Sequence, residues 1–233
     1  MTCKECLFED LFWNSIDREK EILIIREFYA HKLKIDCFDR VLKLCSQDSN
    51  IIASIILEIL DKYTCTEIIN IITNNYQAFQ IKASDIPQFS DLDDCIFKVP
   101  YILLNSGLDC ISYEKMGYYL RNKPRSIVAD RKYGENHIKT TEQLGLCSIR
   151  INHMACSTAF TKAFYHLEKE KQKRLVPKLC LYIPIIQNYF IQGCSTELIE
   201  KSLSILSEST ITRRRPNINT LIETVTRAIN RDI

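Results

Sequence analysis

Asp130-Arg131-Lys132 follows the apolar triplet Ile127-Val128-Ala129, and Asp109 stands upstream. Carboxylates at such spacing, with a lysine two residues on, can hold Mg²⁺ beside a scissile phosphate in nucleases. No Glu-x-Lys accompanies them, and residues 121 to 132 read as a connector rather than the strand this chemistry uses. His137 and His153 are candidates for acid/base work, yet nothing near them in the chain completes a site. Cys3-Lys4-Glu5-Cys6 has a metal or redox spacing, but the next close pair, His153 and Cys156, lies far downstream. Walker, dinucleotide-binding, nucleophile-elbow and zincin motifs do not occur. The expectation is a non-enzyme without metal or cofactor, and Asp109, Asp130 and Lys132 are its weakest point.

Other residues have the chemistry to recognise rather than react. Arg121, Lys123, Arg125, Arg131 and Lys132 crowd the stretch around Pro124. The next segment, Tyr133 to Leu144, carries Asn136, His137, Lys139 and Thr140 off its apolar face. Amide, hydroxyl and cationic groups read base edges in a major groove and position phosphates. A second set, Ser209, Thr210, Arg213, Arg214 and Arg215, follows the Leu206-Ser207 turn.

The elements that position these groups are mainly helical. Five Gly and six Pro in 233 residues argue against a turn-rich sandwich, and 46% hydrophobic with 26% charged residues is a globular balance. Apolar residues recur at helical spacing from Ile16 to Tyr29, from Phe38 to Leu44 and from Ile51 to Leu60, with Asp17 and Ser49-Asn50 as helix starts. Thr66 to Thr73 is β-branched and short enough to be strand or helix. Residues 80 to 100 hold Pro87, Pro100 and Asp91-Leu92-Asp93-Asp94 without a clear period, and read as an interdomain connection.

Ser112 caps a helix through Met116, Tyr119 and Leu120, and a second helix over Tyr133 to Leu144 ends at Gly145. Cys147 to Ile151 alternates as a strand, and Asn152-His153 turns it back. Helix, helix, two-stranded ribbon is the order of a winged helix. Further helices begin at Ser157-Thr158, with charge continuing from Glu168 to Arg174, and run from Val176 to Phe190 with a break at Pro184. Two short helices follow from Thr196, the second bent or ended by Pro216. The expected domains are an acidic helical unit over 1–100, a winged helix over 101–190 and a second helix-turn-helix unit over 191–233.

Charge divides along the same line. Residues 1–112 hold 11 Lys and Arg against 18 Asp and Glu, a balance of −7, and residues 113–233 hold 20 against 11, a balance of +9. A basic half can gain affinity for a polyanion by releasing its counterions, or it can attract the acidic half. The acidic N-terminal residues lack the basic start of a secretory signal, and apolar runs such as Leu179 to Phe190 stop short of a membrane span. A cytoplasmic protein is expected, with most of its 11 cysteines buried as free thiols.

Residues 105 to 229 resemble the paired winged-helix modules of bacterial restriction-modification and phage-defence proteins. The likeness rests on Gly117-Tyr118-Tyr119-Leu120, Tyr133-Gly134-Glu135-Asn136-His137, Leu144-Gly145-Leu146 and Leu206-Ser207-Glu208-Ser209-Thr210-Ile211-Thr212-Arg213-Arg214. It implies recognition of double-stranded DNA within a defence system, or an accessory role beside a larger nuclease or methyltransferase. The alternative is a non-catalytic protein-interaction subunit, with homodimerisation left open.

Overall fold

A computed structural model describes residues 16–31, 49–74, 76–121 and 126–231. Cys3, Cys6, the run Phe38 to Leu44, Lys123 and Arg125 lie outside these residues. The chain is mainly helical, with a small antiparallel sheet.

Among the described residues the first part holds three helices: α1 (Arg18–Tyr29), α2 (Ser49–Lys62) and α3 (Cys65–Thr73). Asp17 caps α1 by accepting from the Lys20 amide at 2.9 Å. The ambiguous β-branched stretch is helix α3. Thr64 and Glu67 close a reciprocal capping box at its start, and Ile68 and Ile72 meet the core at a four-residue spacing. Glu21 ties α1 to α2 by accepting from Lys62 at 2.5 Å and from the Tyr63 hydroxyl at 2.9 Å. These partners hold its carboxyl below the usual range even though burial, the largest single influence, pushes the other way.

Residues 83–98 then form a strap, with a 3₁₀ turn over Ala83–Asp85 and a π-helical turn over Asp94–Lys98 that runs into α4 (Val99–Asn105). Next come β1 (Cys110–Ser112), α5 (Tyr113–Arg121), α6 (Ile127–Gln143), β2 (Ser148–Ile149) and β3 (Met154–Cys156). The strand order is β1-β3-β2, all antiparallel. Five helices complete the chain: α7 (Ala159–Tyr165), α8 (Lys169–Leu181), α9 (Pro184–Ile191), α10 (Thr196–Leu203) and α11 (Glu208–Ile229).

Two apolar cores result. The larger joins α1 to α3 with Phe160, Phe164, Leu179, Ile186, Leu221 and Val225 from the other end of the sequence. The smaller lies within residues 99–155 and gathers Val99, Leu103, Ile111, Met116, Leu120, Ile138 and Ala155. The boundary expected near residue 190 therefore differs from the edge of the smaller core, because α7 to α11 return to pack on the N-terminal helices. Residues 80–100 are no loose connection: Ile86, Asp94, Cys95 and Ile96 are buried.

The breaks and continuations have physical causes. The chain breaks before Pro184, as expected, and Pro184 opens α9 where its missing N–H costs nothing. Pro216, expected to end a helix, lies inside α11. An interior proline costs roughly 3 kcal/mol, but each fully buried aliphatic side chain contributes about 1.5–3 kcal/mol, and Ile218, Leu221 and Val225 are all at 0% exposure. Likewise Ile127-Val128-Ala129 is the first turn of α6 rather than strand or connector, because Ser126 caps it by accepting from the Ala129 amide at 3.3 Å.

The described cysteines divide into two kinds. Cys65, Cys95, Cys147 and Cys180 are buried free thiols, and Cys194 is free and exposed. Cys110 and Cys156, expected as separate thiols, form a disulfide. They are directly opposite in the β1–β3 register with Cα atoms 4.4 Å apart, the spacing of a non-hydrogen-bonded antiparallel pair.

Helices α5 and α6 touch backbone to backbone. A Cβ added at Gly117 would lie 1.9 Å from the Asp130 carbonyl oxygen, and one at Gly134 would lie 1.9 Å from that of Tyr113. Gly117→Ala and Gly134→Ala should each destabilise the fold by on the order of 3 kcal/mol, because two helices must separate to admit one methyl. Gly107→Ala, with open space around it but a φ of +71°, should cost about 1 kcal/mol. Urea unfolding of the three variants checks this, and equal losses would refute the close packing.

Candidate nucleic-acid interface

Helix α6 has a buried and an exposed face. Asp130, Gly134, His137, Ile138, Thr140 and Thr141 face inward. Val128, Arg131, Lys132 and Lys139 are exposed, while Glu135 and Glu142 are half-buried. At 100° per residue the outward set, with exposed Ile127, covers an arc of roughly 140°. Beside its C-terminal half stands the β2–β3 hairpin. Lys139, Glu142, Tyr113, Ile149, Arg150 and His153 line a groove of about 490 Å³ between helix and hairpin. The hairpin turns through His153 at a φ of +60°, closed by Arg150 N–H to the Met154 carbonyl and His153 N–H to the Arg150 carbonyl, both at 2.9 Å. Its tip, Arg150-Ile151-Asn152-His153, is exposed.

The expected groove-reading residues of α6 divide between the two faces. Arg131 is exposed and Asn136 half-buried. Lys132 and Lys139 are exposed, and both bond Glu135, at 3.1 Å and 2.6 Å. Burial pushes the Glu135 carboxyl up, but the two lysines outweigh it and hold it below its ordinary range.

His137 and Thr140 point inward and are removed from the set of contacts. Thr140, at 0% exposure, donates to the Gln88 carbonyl at 3.2 Å. His137, at 1% exposure, donates from Nδ1 to the Tyr133 carbonyl at 2.9 Å. Its Nε2 lies 3.2 Å from Ser90 Oγ. Burial favours the uncharged ring, and its pKa is lowered despite the Tyr133 carbonyl and the Asp94 and Asp91 carboxylates. Arg121 is also structural, with its guanidinium 4.0 Å from the Tyr133 ring centroid and 3.5 Å from Asp130.

The second set belongs to a packed helix. Arg214 donates to the Ala83 and Ile86 carbonyls at 2.6 and 2.8 Å, and Arg215 is paired with Glu200. Asn217 of the same helix donates to the Phe89 carbonyl at 2.6 Å. Ser209 and Arg213 are exposed and Thr210 half-buried, with Arg213 folded back onto the Ser209 carbonyl and the Thr210 hydroxyl. Burial lowers the Arg214 pKa, with Arg213 adding to the effect.

The nuclease candidates are not brought together. Asp109 is exposed ahead of β1, Asp130 is buried against Arg121, and Lys132 is bonded to Glu135. Among the described residues no three His, Cys, Asp or Glu side chains converge as a metal site. No described helix is long and apolar enough to cross a membrane. Val128, Glu135, Arg150 and Asn152 were not singled out from sequence. Taking α6 from Ile127 instead of Tyr133 would have placed Val128, Lys132, Glu135 and Lys139 on one stripe. Compared with models of protein families, with curated proteins and with solved structures, the chain matches none of them.

Arg214 and Arg213 give a direct test of which arginine serves the fold. Arg214→Ala leaves two strap carbonyls without their charged donor and should cost about 1.5–3 kcal/mol of stability. Arg213→Ala should lie within about 0.5 kcal/mol of the parent, as exposed substitutions do. Thermal or urea unfolding measures both, and an unaffected Arg214→Ala chain would contradict the assignment.

Proposed function

We propose that the chain binds duplex DNA through residues 99–156, used as a winged helix, with α6 as the groove-entering helix and the β2–β3 hairpin as the wing. The order helix, strand, helix, helix, strand, strand, with its sheet ordered β1-β3-β2, supports this reading of the fold. The carrying observation for function is the exposed arc of α6, where Arg131, Lys132 and Lys139 stand beside a hairpin tip bearing Arg150. Cations across two neighbouring elements match phosphates on both sides of a groove. Glu135 on the same arc restrains two of the lysines and can accept from a cytosine amine, so it favours selective over indiscriminate binding.

The reading is narrower than two tandem readers. Arg214 and Asn217 are bonded to the strap, so α11 serves as scaffold in this reading. The resemblance to restriction and phage-defence modules supports a place in such a system, beside a nuclease or methyltransferase that performs the chemistry. A cytoplasmic setting is part of this proposal, and a reducing cytosol would hold Cys110 and Cys156, disulfide-bonded in this structure, as two facing thiols. A second reading, a protein-interaction subunit, draws support from exposed Tyr118, Tyr119, Ile127 and Val128 around the α5–α6 junction.

Titration of a duplex at two salt concentrations tests the proposal. The triple variant Arg131→Ala, Lys132→Ala, Lys139→Ala should lose tenfold or more in affinity and show a salt slope shallower by about two to three. Glu135→Ala releases Lys132 and Lys139 and should raise affinity for unselected duplexes several-fold. Unchanged binding by both variants would refute the assigned face.

A further inference from the structure

Ile127 and Val128 are 66% and 77% exposed in the first turn of α6, a costly place for bulky aliphatic side chains to meet water. The next turn carries exposed Arg131 and Lys132. Tyr118 and Tyr119 carry the exposed apolar surface onto α5, while nothing exposed and apolar continues along the arc of α6 itself. The pattern matches the major groove, where the thymine C5-methyl is the apolar feature on a base edge and phosphates flank it on either side.

We propose that Ile127 and Val128 are specificity-determining residues that select thymine by packing on its methyl group while Arg131 and Lys132 hold the adjacent phosphates. This inference rests on the duplex-binding reading above and deepens it, by assigning base preference to an apolar contact. The polar residues expected to read bases have other work: His137 and Thr140 are buried against the strap. Asn136, beside the arc and half-buried, is left to contribute at its edge. Discrimination on this account comes from buried methyl surface, and it is insensitive to salt where phosphate contacts are not.

The test removes the methyl from the DNA and leaves the protein intact. The full chain is titrated with a 20-base-pair alternating dA–dT duplex and with the same duplex in which every dT is replaced by dU, at one salt concentration. Burial of one methyl is worth about fourfold, so the dU duplex should bind fourfold or more weakly. The variant Ile127→Ser, Val128→Ser should bind both duplexes equally, at the level of the dU duplex. Both positions are exposed, so the variant should keep the parent's melting temperature. Equal affinity of the parent chain for the two duplexes would overturn the inference and leave duplex binding standing. Failure to bind either duplex would overturn both. Self-association of the parent chain that the double variant abolishes in sedimentation, without a dT preference, would assign this tip to a protein contact instead.

Discussion

The strap over residues 83–95 has little regular backbone pairing of its own, and the rest of the molecule is arranged to supply what it lacks. Carbonyls without a backbone partner need other donors, and where they are buried the unmet cost of each is about 1–3 kcal/mol. Helix α6 supplies Thr140 to Gln88, Thr141 to Cys95 and Gln143 to Ser84. Helix α11 supplies Arg214 to Ala83 and Ile86, and Asn217 to Phe89. The strap thus joins the smaller core to the larger one by side-chain hydrogen bonds from both. One face of α6 is fixed to it, and the opposite face is left to solvent. The proposed function depends on that division.

The same constraint explains how the two charged halves settle. Part of the positive excess is spent on the acidic half: Arg174 makes a two-pronged pair with Asp61 at 3.1 and 2.9 Å, and Lys178 reaches the Asp61 carbonyl at 3.3 Å. Burial alone would raise the Asp61 carboxyl, but Arg174, with Lys178 and Lys171, holds it below its ordinary range. Another part is spent within the basic half, on Glu200 and Glu223. A formal balance of +9 is therefore a poor measure of the surface a polyanion would meet. What matters is the short cationic arc on α6 and the hairpin tip.

Much of the architecture was legible from residues. Capping by Asp17 and Thr158, the break at Pro184, the left-handed Gly145 at a φ of +79° and the hairpin turn at Asn152-His153 all depend on local chemistry, and all are present. What depends on distant partners was not. Pro216 persists within a helix because of burial against α8, and the strap looked like a linker because its order comes from side chains as much as 131 residues away. Cys110 and Cys156 pair across a register no local pattern reveals. The division of the candidate site residues between buried and exposed positions was hidden for the same reason. Hydroxyl, amide and guanidinium groups serve a base edge or a buried carbonyl equally well, and only the fold shows that Thr140 and Arg214 serve carbonyls.

In the proposed function the outward face of α6, and not the arginine cluster of α11, meets the duplex. Hydrogen exchange of the full chain with and without a 20-base-pair duplex tests this most directly. Slowed exchange over residues 126–139 and 150–154, with no change over 208–215, is the result the account predicts. Protection concentrated in 208–215, with α6 exchanging as in the free chain, would contradict it.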